Sequence, residues 1–139
     1  MKIFKGTPVS PGVAEGYVYL YQAFSCDVYE TYVQAGEEEA ALKSYEQAVR
    51  AADDELLRLI ASFSAGNADK AKIFAAHREI LADEEMDDEI RSAILNERQA
   101  ADFAVNRVYT EFALLLSKVA DTLIAARATD IRDVRNRLI

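Results

Sequence analysis

Apolar residues at alternating spacings of three and four restrict the fold of this chain more than any other feature. Between residues 36 and 64 they occupy the positions Leu42, Tyr45, Val49, Ala52, Leu56, Leu59 and Phe63. This spacing places their side chains on one face of an α-helix. No proline follows Pro11, so nothing in the sequence interrupts a long helix after that point. A face this long needs a partner, and the sequence therefore predicts a helix over 36–64 that packs along its length against another helix.

The same reasoning predicts four more helices, which together make a mostly α protein. The residues Ser64-Ala65-Gly66-Asn67 end the first helix, and the others cover about 68–82, 83–96, 99–119 and 121–138, the last with Asp121 as its N-cap. The apolar stripe of the helix over 68–82 contains Ile73, His77 and Ile80 or Leu81. That of 99–119 contains Phe103 or Ala104, Val108, Phe112, Leu115 and Val119, and that of 121–138 contains Ile124, Arg127, Ile131, Val134 and Leu138. Because short connections favour antiparallel neighbours, we expect a helical bundle of two packed helical hairpins.

Residues 1–21 differ in composition from the rest of the chain. They hold both prolines and three of the five glycines, and 17–21 are rich in β-branched and aromatic residues. This pattern predicts a strand, a turn at Ser10-Pro11-Gly12 and a second strand. A two-stranded piece is marginally stable by itself. We therefore expect 1–21 to belong to an incomplete α/β domain, 22–139 to form the helical domain, and the chain to be part of a larger protein.

Charge and cysteine content exclude several classes of function. The net charge of −8 at pH 7 disfavours nucleic acid and membrane surfaces as partners and favours a basic protein. Cys26 and His77 are the only residues of their kinds, which excludes an internal disulfide and the usual structural zinc sites. We expect no metal or cofactor in this chain. The sequence shows no leader peptide and no apolar run long enough to span a bilayer, so we also expect a cytoplasmic protein.

Two polar residues lie in phase with apolar stripes. His77 is either a histidine that packs between helices with its nitrogens satisfied locally, or a functional imidazole. Arg127 is either an arginine at the edge of its stripe with its charge in solvent, or a cation that needs a carboxylate, a ligand or a partner protein. The acidic run Asp83-Glu84-Glu85, with Asp87-Asp88-Glu89 close behind, is either a solvated helix start or a docking patch for a basic partner.

Three segments, in the same order, resemble the N-terminal region of the Enzyme I family, the phosphoenolpyruvate–protein phosphotransferases of the bacterial sugar phosphotransferase system. Residues 10–16, Ser-Pro-Gly-Val-Ala-Glu-Gly, resemble the family's SPGIAxG opening. Residues 73–85 resemble its IFxxH…LxDEEL segment, and residues 127–134 resemble its RAADVRDI segment. The resemblance implies that residues 1–21 begin the α/β phosphohistidine domain and that the helices dock the phosphocarrier protein HPr. The phosphorylated histidine would lie beyond this chain, so we expect no catalytic residue here. The resemblance also implies that the parent enzyme uses Mg²⁺ and is a homodimer through regions absent from this chain.

Carried over position by position, the family's docking surface falls on eight residues, which are Asp69, Lys70, His77, Ile80, Leu81, Asp83, Glu85 and Arg127. Arg78-Glu79 and Ala68-Asp69 depart from the family pattern, so a paralogue that serves nitrogen regulation or dihydroxyacetone phosphorylation stays open. Two other hypotheses compete with docking. One is a structural bundle that dimerises through 42–63, and the other makes His77 a phosphoacceptor within the bundle.

Overall fold

The computed structural model describes residues 3, 7, 12, 13, 15–17 and 27–139. Five helices occupy this part of the chain: α1 Glu38–Ser64, α2 Ala68–Leu81, α3 Glu84–Glu97, α4 Ala101–Ser117 and α5 Thr122–Leu138. Each bound lies within two residues of the sequence prediction. The described residues contain no strand apart from one isolated bridge, and the mostly α prediction is confirmed.

Side chains cap the N-termini of three helices and so fix where each of these helices begins. The side chain of Asn67 accepts a hydrogen bond from the Lys70 amide at the start of α2. Asp83 does the same for the Met86 amide at the start of α3. Asp121 caps α5, as predicted, by accepting from the amides of Leu123 and Ile124. Each cap satisfies an amide that has no partner inside its helix.

Two antiparallel hairpins form the bundle, with α3 between them. In the first hairpin, α1 and α2 run side by side, and the rings of Phe63 and Phe74 stack with centroids 5.8 Å apart. In the second, α4 packs along α5. The hairpins meet where α2 lies on α5, while α3 packs on α4 and on α1. The predicted bundle of two packed hairpins is therefore confirmed.

The core lies between the hairpins and takes side chains from all of the described helices. Leu56, Ile90, Ile94, Val108 and Val134 are completely buried. The stripe of α1 reaches this core through Tyr45, Ala52 and Leu56, and Leu42 and Val49 pack against it. The partner predicted for this stripe is therefore within the same chain. The dimer hypothesis for 42–63 loses most of the surface that it needs.

Several predicted stripe residues lie outside the core. Leu115 is 62% exposed and Val119 is 40% exposed. Of the predicted stripe of α4, Ala104 and Val108 are buried, and the helix also buries Val105, Tyr109 and Ala113. Ile73 and Ile124 are also more than 40% exposed, at 52% and 42%. These side chains are exposed because a helix face is buried only where a neighbouring helix covers it, and no described helix covers them.

The chain that enters the bundle is attached to the turn between α3 and α4. The amide of Val33 donates to the Arg98 carbonyl at 2.8 Å, and the amide of Ala100 donates to the Thr31 carbonyl at 2.9 Å. Arg98 turns the chain with a positive φ of 56°. A turn was predicted at residues 10–12, and Gly12, the residue of this turn that the structure describes, has a positive φ of 128°. Most of the residues of the predicted strands in 1–21 lie outside the described residues.

Candidate functional site

A groove opens where the end of α2 and the start of α3 meet the α4–α5 hairpin. It has a volume of about 340 Å³. Its lining consists of Ile80, Asp83, Met86, Phe112, Leu116, Arg127 and Ile131. Met86 and Ile131 are buried and form the floor, and Ile80, Phe112 and Leu116 are half-buried walls. The groove is therefore apolar inside, with one carboxylate and one guanidinium at its rim.

Asp83 has a structural role and a charge at this rim. Its Oδ1 accepts a hydrogen bond from the Met86 amide at 3.0 Å, which places the carboxylate at the positive end of α3. Glu84 and Glu85 follow it and are exposed. Burial raises the pKa of the Tyr109 hydroxyl, and the nearby carboxylates of Asp83 and Asp87 raise that pKa further. Asp83 therefore brings a negative charge to this side of the groove.

Arg127 supplies the opposite charge at the rim. The sequence placed it in phase with the apolar stripe of the last helix, either at the stripe edge with its charge in solvent or as a cation that needs a partner; its side chain is exposed, and Ala128 takes the buried position. Arg127 makes no ion pair with any residue that the structure describes. A cation on a helix surface beside an apolar groove is well placed to meet a carboxylate or a carbonyl of a partner.

His77 lies beneath the surface, between α2 and α5. The residue is 4% exposed, and its ring lies at 88° to the Phe74 ring, with the two ring centroids 6.1 Å apart. Its Nε2 is 3.5 Å from Oδ1 of Asp130, and neither ring nitrogen has a hydrogen-bond partner among the described residues. The prediction that His77 is on a core-facing stripe is confirmed. A phosphoryl donor or a docked protein cannot reach the ring in this position.

The structure brings only part of the expected docking set together. Ile80, Asp83 and Arg127 border one groove, and Glu85, two residues after Asp83, is exposed. Leu81 is 7% exposed and belongs to the core.

Asp69 and Lys70 lie at the other end of α2, where Asp69 pairs with Lys72 at 3.1 Å. At 1.5 Å per residue, eleven helical residues place Asp69 about 16 Å from Ile80.

Sequence reasoning missed an apolar surface at the α4–α5 turn. Leu123 is 80% exposed, Leu115 62%, Ile124 42% and Val119 40%. These residues are within about one helical turn of Leu116 and Arg127, so they extend the apolar surface beyond the groove. Exposed apolar patches of this kind are typical of protein-binding surfaces. The run of three leucines at 114–116 was the available signal, because such a run cannot fit on a single face of a helix.

Two absences concern the part of the chain that the structure describes. None of its helices is both long and apolar enough to cross a membrane. Within the same residues, no three His, Cys, Asp or Glu side chains converge in a way that could hold a metal ion.

Comparison of the fold defines the class of domain. The NMR solution structure of Enzyme I matches with a TM-score of 0.74 and 26% identity, over 81% of this chain and 46% of that chain. The N-terminal domain of the nitrogen Enzyme 1 matches with a TM-score of 0.73 and 25% identity, over 80% and 46%. The bundle is therefore an N-terminal helical domain of the Enzyme I type.

The sequence comparisons then identify the family. The chain belongs to the family of PEP-utilising enzymes, N-terminal, whose model matches residues 5–127. It is 30% identical over 139 residues to the phosphoenolpyruvate-protein phosphotransferase of Staphylococcus epidermidis, covering 99% of this chain and 24% of that protein. The corresponding protein of Haemophilus influenzae is 29% identical, with the same 99% and 24% coverage. The chain thus spans about a quarter of the length of these relatives.

Proposed function

We propose that this chain is the N-terminal part of a phosphoenolpyruvate–protein phosphotransferase and that its helical bundle docks a phosphocarrier protein of the HPr type. The relatives are phosphotransferases by name, and the bundle has the fold of Enzyme I. The carrier would accept a phosphoryl group from a histidine outside this chain. The Mg²⁺ expected for the parent enzyme would also act outside this chain.

The groove between α2, α4 and α5 is the observation that carries this proposal. Its apolar walls, Ile80, Phe112 and Leu116, open between the carboxylate of Asp83 and the guanidinium of Arg127. Protein interfaces combine an apolar centre with a polar rim in this way. Opposite charges on the two sides of the groove would fix the orientation of the partner as well as attract it.

The charge around the groove favours a basic partner. Asp83 lines one side of it, Glu84 and Glu85 follow Asp83 in the chain and are exposed, and the whole chain carries a net charge of −8. A partner with lysines or arginines around its reactive group would be steered toward this side. The attraction between exposed charges weakens as salt is added, because the Debye length falls from about 10 Å at 0.1 M to about 3 Å at 1 M.

The bundle would position the carrier for the phosphoryl transfer and would supply no reacting group. In the proposed reaction, the bond from phosphorus to a nitrogen of the donor imidazole breaks as a bond forms to a nitrogen of the carrier imidazole. The one histidine of this chain, His77, is buried and cannot take part. Docking holds the two imidazoles together and so makes the transfer effectively intramolecular.

A titration of the isotope-labelled chain with HPr from the same genome tests the proposal. We expect amide shift changes at residues 80–86, 112–116 and 123–131, and a dissociation constant that rises with salt. Glu85→Lys should weaken binding, because it reverses an exposed charge two residues from Asp83. Asp54→Lys is the matched control, since Asp54 is exposed on α1 and does not line the groove.

Three results would overturn the proposal. Shift changes confined to residues 42–63, with a doubling of the molecular mass, would indicate the dimerising bundle instead. Equal weakening by Glu85→Lys and Asp54→Lys would show that only the overall charge matters. An absence of any shift change, with both HPr and the nitrogen-type carrier of the same genome, would exclude docking of this class. If both carriers bind, the tighter one identifies the pathway.

A further inference from the structure

We propose that His77 is a positioning residue for docking. Its buried ring gives the carboxylate of Asp130 a polar contact on the α2 side, with Nε2 3.5 Å from Oδ1, and this contact competes with pairing between Asp130 and Arg127. The guanidinium of Arg127 therefore stays free for the partner. This inference rests on the proposed function, because it assigns Arg127 to the docking contact.

The contacts of the three side chains support this arrangement. Nε2 of His77 is 3.5 Å from Oδ1 of Asp130, and the two side chains are 5% and 31% exposed. Within the described chain, neither residue has another ion-pair partner, and Arg127 has none. Arg127 instead lines the groove beside Ile131.

Helix geometry makes Arg127 and Asp130 natural partners for each other. Residues three apart are neighbours on a helix surface, and an acid and a base at that spacing attract each other. In this structure the Asp130 carboxylate turns to α2 instead. If the polar ring of His77 were replaced by an apolar side chain, Asp130 would lose its contact on α2 and would be free to pair with Arg127, the cation three residues before it on the same helix. A docking protein would then have to break that pair before it could use the guanidinium.

The burial of His77 argues against a purely stabilising role. Both ring nitrogens are buried without a hydrogen-bond partner among the residues that the structure describes. Buried polar atoms in that state reduce stability, and an apolar side chain of similar volume avoids this cost. Stability and docking should therefore respond in opposite directions when His77 becomes leucine.

Five variants of the 139-residue chain test the inference, with HPr affinity and the thermal midpoint measured for each. Arg127→Ala should weaken binding about two- to five-fold, the range for an exposed charge pair. His77→Leu should weaken binding to a similar extent, while its thermal midpoint stays equal to that of the parent or rises. His77→Gln keeps a polar side chain beside Asp130 and should bind like the parent.

The rescue variant separates a positioning role from a structural one. His77→Leu with Asp130→Ala removes the competing carboxylate, so parental affinity should return. Asp130→Ala alone should bind like the parent. Because this single variant keeps His77, its comparison with the parent does not depend on how well leucine fits at position 77. The inference is overturned if His77→Leu binds normally, if the double variant stays weak, or if Asp130→Ala alone weakens binding.

The failure of this inference differs from the failure of the proposed function. If Arg127→Ala weakens binding and His77→Leu does not, docking at the groove stands and the role of His77 is wrong. If Arg127→Ala binds like the parent, Arg127 makes no contact with the partner and the inference falls with it. If HPr does not bind the parent chain at all, the proposed function itself is wrong.

Discussion

Asp83 has two roles that a pair of substitutions can separate. Its carboxylate accepts the Met86 amide at 3.0 Å and so caps α3, and its charge lies at the rim of the groove. Asparagine keeps an acceptor for the amide and loses the charge, whereas alanine loses both. The pair Asp83→Asn and Asp83→Ala therefore measures the cap and the charge in the same position.

The structure sets the size of each effect. Loss of an N-cap side chain costs about 1 kcal/mol of unfolding free energy, which lowers the Tm of a domain of this size by about 4 °C. Loss of the charge at the positive end of α3 costs about 0.5 kcal/mol. We therefore expect Asp83→Ala to be less stable than Asp83→Asn by about 1 kcal/mol. Both variants lose the same carboxylate, so both should bind HPr about two- to five-fold more weakly.

Denaturant unfolding and HPr titration of the two variants check these values. Equal stability of the two would show that the hydrogen bond to Met86 contributes nothing. Normal HPr affinity of Asp83→Asn, with weakened affinity of Asp83→Ala, would show that the partner depends on the ordered start of α3 and not on the charge. Either result would refute the reasoning about this residue.

Three further predictions concern the core and the exposed apolar surface. Leu56→Ala should cost about 2–5 kcal/mol in denaturant unfolding because Leu56 is fully buried. The matched Leu57→Ala should cost far less, since Leu57 is 43% exposed; equal losses would contradict the packing. Burial raises the pKa of Tyr45 and of Tyr109 above the ordinary value of 10.0. Their contribution to the unfolding free energy is therefore complete below about pH 10 and is lost as pH rises from there toward the raised pKa values of the two hydroxyls in the folded chain. On alkaline titration, the loss of helix seen by circular dichroism and the rise of tyrosinate absorbance should occur together. Ionisation of both tyrosines while the chain stays folded would contradict this. Leu123→Ser should change stability by less than about 0.5 kcal/mol, because Leu123 is 80% exposed, and should weaken HPr binding; normal binding would exclude the α4–α5 turn from the docking surface.

Local patterns in the sequence predicted the helices well. Spacings of three and four, the break at Gly66 and the cap at Asp121 depend on residues within one or two turns of each other. The bounds of the helices followed from these, to within two residues. Core positions in the middle of the helices, such as Leu56, Ile131 and Val134, were predicted for the same reason, and all three are buried.

The candidate site was predicted only in part, because it depends on neighbours that are distant in the sequence. Ile80, Asp83 and Arg127 were all named from the family resemblance, and the structure places them around one groove. The spacing of Arg127 left open whether its charge lies in solvent at the stripe edge or needs a partner in the core, and the structure shows the side chain exposed. Leu115 continues an apolar pattern and is nevertheless 62% exposed, since periodicity reports which residues share a face and not whether another helix covers it.

By itself, the sequence determined the helical secondary structure, the acidic charge and the resemblance to one family, because these are properties of local order and composition. The tertiary structure alone decided which side chains of that family pattern are accessible. It buried His77 between α2 and α5 beside Asp130, and it left Arg127 at the rim of the groove. The physical reason is that accessibility is set by the packing of α2 on α5, a contact between residues about 50 positions apart that no local pattern contains.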